Sequence, residues 1–261
     1  TPLRQYIADR YLARHGMQVN PDNILITSGS QQALDLLGKV LIDEGQDLII
    51  EEPGYLGAIQ AFSVYQPTFK PITLGEAGLD LAALDALLAN GSNAKLLYGV
   101  PNFQNPSGVS YSRANREALA ERLVNHELLM VEDDPYGELR FEGEHLPPIA
   151  KLAPNNTVLL GSFSKTVVPA FRLGWMLVPE WLRKKVTIAK QATDLHSNAF
   201  SQQVLHRFLT DNSLDAHLEK IKEVYGRQRA AMEAALARHC PPGVSYTRPE
   251  GGMFLWLTLP D

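Results

Sequence analysis

Cysteine is almost absent: Cys240 is the single one in 261 residues. That excludes an internal disulfide framework and any multi-cysteine zinc site, and it suits a reducing, cytoplasmic setting. Runs of Lys and Arg are missing, and the formal net charge is −5. No overall field therefore draws the chain to nucleic acid or to an anionic membrane. No apolar stretch approaches the length that crosses a bilayer, and no signal peptide is visible. There is no internal repeat and no low-complexity segment. An initiator Met is also lacking before Thr1, and the chain closes just after the strand-like run Met253 to Leu257. That pattern is expected of a fragment of something longer.

What is present is ordinary for a globular protein with a sizeable core: 45% hydrophobic and 20% charged residues. Residues 3–15 set Leu3, Ile7, Ala8 and Leu12 among charges, an amphipathic helix ending near Gly16. Short apolar runs at 23–27, 47–51, 68–72, 95–100, 128–131, 157–160 and 173–178 read as strands. Helical spacing falls between them, from Ala33 to Leu41, 58–64, 79–88, 112–126 with Ser112 as N-cap, and 181–192. A longer helical pattern from Ser201 to His239 breaks near Asp211-Asn212, and strands at 244–246 and 253–257 flank Gly251-Gly252. Alternating helices with short, continuous apolar strands predict an α/β fold with a mostly parallel sheet covered on both faces. The boundary falls in 192–240: a large domain at 1–192, connecting helices at 193–240, and the start of a smaller α+β domain at 241–261.

In an open parallel sheet, ligands bind beyond the carboxyl ends of the strands. Five such loops carry polar and aromatic groups. Ser28-Gly29-Ser30-Gln31 reads either as helix capping or as an anion site of free N–H groups and hydroxyls. It is not a P-loop, since no Gly-Lys-Ser/Thr follows. Tyr55, after Pro-Gly, reads as a packing ring or as one that stacks on a flat ligand. Asn102, Gln104 and Asn105-Pro106 follow the run 95–100; Asn105 before Pro106 reads as a turn initiator, and such a bond can also be cis. Asp133 ends a very apolar strand and needs a cationic partner, structural or bound, and Tyr136 follows it. Ser162, Ser164 and Lys165 follow the run 157–160, with Arg172 seven residues beyond Lys165 as a surface group or a phosphate fork. Phosphate donors, a stacking ring, a strand-end carboxylate and an amine nucleophile together describe one ligand, pyridoxal 5'-phosphate.

These stretches resemble the class I/II aminotransferases among the fold type I pyridoxal-phosphate enzymes. The resemblance rests on Ser28 to Leu34, Glu52-Pro53-Gly54-Tyr55, Asn102 to Gly108, Glu132-Asp133-Asp134-Pro135-Tyr136, and Ser162-Phe163-Ser164-Lys165 through Arg172. The wording is nearest to the 2-aminoadipate and kynurenine/aromatic branch. It implies that Lys165 forms the Schiff base and shuttles a proton. Asp133, standing three residues before Tyr136, pairs with the pyridinium nitrogen. Asn105 and Tyr136 bond the phenolic oxygen, with Asn105 also touching the substrate. Tyr55 stacks on the ring, and Ser30, Gln31, Ser162, Ser164 and Arg172 hold the phosphate.

The implied reaction is ping-pong transamination between an amino acid and a 2-oxo acid, in a homodimer, with residues 194–203, including Asn198, near its interface. A covering segment ahead of Thr1 and a small-domain arginine that clamps the substrate carboxylate belong to the family pattern and are not in this sequence. Weak or absent turnover is the expectation for the chain by itself. A rival reading is the aminotransferase-like effector domain of a transcription regulator. In that class Phe-Pro usually replaces Asn105-Pro106, and Pro135-Tyr136 is missing. A lyase or synthase on the same scaffold is not separable by its cofactor residues.

Overall fold

The structure, a computed structural model, describes residues 1–260. α1 (Pro2–His15) is stopped by Gly16, which turns left-handed at φ 58°. β1 (Ile24–Thr27), α2 (Ser30–Leu41), β2 (Asp47–Glu52) and α3 (Leu56–Ser63) follow. β3 (Thr68–Gly75) turns back on itself as β4 (Gly78–Leu79). α4 (Leu81–Ala89) starts where the Asp80 carboxylate accepts the N–H groups of Ala82 and Ala83. Then come β5 (Leu96–Gly99), α5 (Arg113–Asn125), β6 (Leu129–Asp133), the single turn α6 (Ile149–Leu152), β7 (Thr157–Ser162) and β8 (Gly174–Leu177). Three helices follow, α7 (Glu180–Asp194), α8 (Ala199–Asp211) and α9 (Leu214–His239), before β9 (Ser245–Tyr246) and β10 (Leu257–Thr258).

β1 to β8 form one sheet in the order β1-β8-β7-β6-β5-β2-β3-β4. The run β7-β6-β5-β2-β3 is parallel. β8 lies between β7 and β1 and is antiparallel to both, so β1 points the same way as β7. The period of two along each strand divides the core into two layers. Leu48, Ile50, Leu96, Tyr98, Leu129 and Val131 face the layer that holds α1, α2 and α3. Ile49, Leu97 and Met130 face the opposite layer, with Leu84 of α4 and Leu119 and Leu123 of α5. Both faces are buried, which is why these strands lack an alternating polar side.

One expected strand is wrong. Residues 253–256 do not pair; only Leu257–Thr258 does, antiparallel to Ser245–Tyr246. The chain ahead of that pair is committed to the large sheet's loops instead. Gly252 N–H donates to the Leu139 carbonyl at 3.0 Å, and the Phe141 and Glu142 N–H groups donate to the Glu250 carbonyl at 2.8 and 3.0 Å. Further along, α8 packs against α1 and α7 against α2.

Candidate active site

β1, β2, β5, β6 and β7 share one direction, so their carboxyl ends open on a single rim. β8 runs the other way, and its start therefore sits on that rim too. This brings Arg172, two residues ahead of β8, in among the loops that follow the other strands. Ser30, Gln31, Tyr55, Asn105, Asp133, Tyr136, Ser162, Ser164, Lys165 and Arg172 all line one cleft of about 220 Å³. No expected site residue lies outside it.

One corner is built for an anion. Gly29 caps α2 at φ 81°, ψ 171°, and no side chain caps the helix. The N–H groups of its first turn thus lack intrahelical partners and carry the positive end of the helix dipole. A Cβ at Gly29 would stand 3.0 Å from Arg172 Nη2, so the glycine is what lets the guanidinium lie over the helix start. Arg172 Nη1 donates to Ser164 Oγ at 3.4 Å, and Ser164 N–H to Ser162 Oγ at 3.1 Å. Gln31 reaches the Gly57 carbonyl at 2.8 Å, tying the helix start to the loop that bears Tyr55.

The opposite corner holds a carboxylate. β6 sets Leu129, Val131 and Asp133 on one face, and the neighbouring β5 sets Leu96 and Tyr98 on the same face, with Tyr98 beside Val131 in register. Tyr98, fully buried, donates its hydroxyl to Asp133 Oδ2 at 2.9 Å. Asp133 is 2% exposed, and its Oδ1 has no partner among the described residues. Burial pushes its carboxyl up to about 7, opposed by the Tyr98 bond and reinforced by the charges of Asp134 and Glu51. The adjacent Asp134 turns away and accepts from Asn102 Nδ2 at 2.8 Å. Tyr55 and Tyr136 both have hydroxyls pushed up, first by burial and then by the Asp133 charge. Lys165 stands exposed at the cleft, with no carboxylate lining it except Asp133.

Asn105 sits on a loop that buried polar groups hold rigid. Gln104 donates to Glu51 Oε2 at 3.0 Å and to the Pro53 carbonyl at 2.7 Å, and accepts from Ser107 N–H at 2.8 Å. Glu51 also accepts from Tyr111 at 2.6 Å and from Val100 N–H at 2.9 Å. Arg116, wholly buried, bonds the Tyr111 and Pro101 carbonyls at 3.0 and 2.8 Å and Asn102 Oδ1 at 2.7 Å. Glu51, Tyr98 and Arg116 escaped the sequence reading. Glu51 is one of three acidic residues in β2, Asp47–Glu52, and Tyr98 is one more member of the buried run of β5, so neither stands out. Arg116 is one of several charges on α5 and carries no mark in the sequence. No group of His, Cys, Asp and Glu suited to a metal occurs among the described residues.

An open sheet with a strand-end carboxylate, a lysine and an arginine-backed helix terminus on one rim defines the scaffold of the fold type I pyridoxal-phosphate enzymes. The chain belongs to the family "Aminotransferase class I and II", whose model matches residues 1–261. It is 42% identical, over all of its length, to aromatic-amino-acid aminotransferase 1 of Thermococcus litoralis. It is 41% identical, over 99% of its length, to 2-aminoadipate transaminase of Thermus thermophilus. The chain spans 64% of the length of each of these relatives. The crystal structure of Pyrococcus horikoshii kynurenine aminotransferase in complex with PMP superposes on the whole chain with TM-score 0.95 and 42% identity, 65% of that protein being covered.

Proposed function

We propose that this cleft binds pyridoxal 5'-phosphate and that the protein is a transaminase, passing an amino group between an amino acid and a 2-oxo acid in two half-reactions. The observation that carries the reading is Asp133. A carboxylate buried with one oxygen satisfied and the other free is costly by itself. A protonated ring nitrogen is the kind of partner that Oδ1 lacks. The bound cofactor supplies an aldehyde that captures amines and a ring that draws electrons from the amino acid's α-carbon.

This chain's residues do the rest. Asp133 would hold a protonated ring nitrogen, and Tyr98 keeps that carboxylate in place. Arg172, Ser164, Ser162, Ser30 and the first turn of α2 bind the phosphate. Tyr55 would hold the cofactor by ring contact, and Asn105 and Tyr136 would hold it by hydrogen bonds. Lys165 Nζ would hold the cofactor's aldehyde carbon and, when free, would take and return the substrate's α-proton. Support for a transaminase over a regulator domain or a lyase comes from the two relatives described above, both of which carry transaminase names.

A homodimer fits the surface near the cleft, where Leu195 and Phe200 are each 73% exposed. Residues 241–261 open a second, smaller domain in this reading, since β9 and β10 form a sheet of their own. No helix among the described residues is long and apolar enough to cross a membrane, and a cytoplasmic location agrees with the single cysteine.

The test is spectroscopic. The purified protein with pyridoxal 5'-phosphate is expected to develop a visible absorbance band that fades on adding an amino acid. Borohydride treatment should leave the cofactor's mass on the peptide containing Lys165. A colourless protein, or a label on another lysine, overturns the reading.

A further inference from the structure

The anion corner of the cleft rests on the turn at residues 27–30, and that turn is held from outside the cleft. Thr27, wholly buried, donates its hydroxyl to the Gly29 carbonyl at 2.9 Å. A trans peptide sets its C=O and N–H on opposite sides, so the Ser30 N–H faces away from Thr27 and out of the helix start. The Ser28 N–H donates to Gln32 Oε1 at 2.8 Å. The peptide planes on either side of Ser28-Gly29 are thus both pinned, one by Thr27 and one by Gln32. Gln32 belongs to the first turn of α2 but stands outside the lining of the cleft.

A partner on α7 decides which way the Gln32 amide faces. Gln32 Nε2 donates to Asp194 Oδ2, at the end of that helix, at 2.8 Å. Buried Lys190, one turn earlier, donates to Asp194 Oδ1. Burial pushes the Asp194 carboxyl up, but the bonds from Gln32 and Lys190 outweigh it and hold the group below its ordinary value. It is therefore ionised at neutral pH. An ionised carboxylate only accepts and a backbone N–H only donates. One amide meets both only with its nitrogen toward Asp194 and its oxygen toward Ser28.

We infer that Gln32 is a positioning residue for the cofactor's phosphate: with its amide set by Asp194, it holds the Ser28 peptide so that the start of α2 presents N–H groups already aimed into the cleft. A turn set in advance has less freedom to lose on binding. This rests on the reading that the cleft takes pyridoxal 5'-phosphate. The two fail differently: a wild-type protein that binds pyridoxal 5'-phosphate no better than pyridoxal defeats that reading, whereas an unchanged preference in the variants defeats this one.

The experiment titrates the full chain, freed of cofactor, with pyridoxal 5'-phosphate and with pyridoxal, which has the same ring and aldehyde but no phosphate. Absorbance and tryptophan fluorescence read the binding. Gln32→Met keeps the length of the side chain and loses both hydrogen bonds. It is expected to weaken pyridoxal 5'-phosphate about ten-fold while changing pyridoxal by less than about three-fold, the scale of hydrogen bonding to a charged group. Asp194→Asn lets the amide turn over while Gln32 stays, and should lower the same ratio by about three-fold. Nearly isosteric and 28% exposed, that second site guards against misfolding of the methionine variant. Inorganic phosphate should also compete less well with pyridoxal 5'-phosphate in Gln32→Met than in wild type. A merely structural role for Gln32 would weaken both compounds alike. Equal weakening of both, or an unchanged ratio in either variant, overturns the inference.

Discussion

Asp133 concentrates the chemistry of the cleft, and its environment sets a sign that can be measured. Burial raises its carboxyl from 3.8 to about 7 in the folded protein without cofactor. Well below pH 3.8 the carboxyl is protonated both folded and unfolded, and the native environment costs nothing. As pH rises toward 7 the unfolded chain releases this proton and the folded one keeps it, so stability falls across that window. Asp133→Asn removes the titrating group. The variant without cofactor should therefore gain stability over wild type as pH climbs from 4 to 7, by no more than a few kcal/mol, one pKa unit being about 1.4 kcal/mol. Urea denaturation at several pH values measures the difference, and a constant difference would refute the argument. With cofactor bound the order reverses, because the ionised carboxylate then has its cation. At this scale Asp133, Lys165 and Arg172 were legible in the sequence as chemistry at strand ends. Tyr98 was not. It reads as one more apolar residue of β5, and only the register of β5 on β6 brings its hydroxyl to Asp133 Oδ2.

At the scale of elements, the start of α2 and the start of β8 make one device. Gly174 would place a Cβ 3.0 Å from the Gly29 backbone, and Gly29 in turn gives way to Arg172. The glycines at both starts allow the approach. Gly29 holds a backbone conformation, φ 81° and ψ 171°, that is nearly closed to other residues. Gly29→Ala is expected to cost about 1–3 kcal/mol of backbone strain. It should also push the guanidinium off the helix terminus, weakening cofactor binding about ten-fold, since 1.4 kcal/mol is a factor of ten. Fluorescence titration with pyridoxal 5'-phosphate reads the affinity, and thermal melting of the protein without cofactor separates strain from binding. Affinity unchanged in a folded variant would show that Arg172 does not need its place over Gly29. The elements themselves were mostly readable, since a helix and a strand differ in apolar period. The direction of β8 was not readable, because a short buried strand has the same pattern whichever way it runs. Residues 253–256 misled for a related reason: Met253 to Leu257 is as apolar as a strand, but the two glycines before it dock the chain onto Leu139.

Across the whole molecule, composition excluded more than it established. A single cysteine and a net charge of −5 leave most enzymes of this size possible, and the convergence of five loops narrowed the choice. What composition could not reveal is which surface is covered. Leu195 and Phe200 stand exposed where α7 passes into α8, while Ser197 between them is buried and donates to the Ile26 carbonyl at 3.2 Å. That bond anchors the junction directly to β1, beside the loop that opens α2. Asn198 caps α8 by accepting the Ser201 N–H at 2.9 Å. In the homodimer proposed above, Phe200, exposed at this junction, is expected to meet the second copy of the chain. In a dimer sealed there, Phe200→Asp would bury an unpaired charge. It is expected to raise the dimer dissociation constant at least about thirty-fold, the effect of losing an aromatic anchor worth roughly 2 kcal/mol. Sedimentation velocity across a concentration series measures that constant. Cofactor affinity should fall with it if the second copy helps close the cleft, and should hold if it does not. A variant as dimeric as wild type would place the interface elsewhere on the molecule.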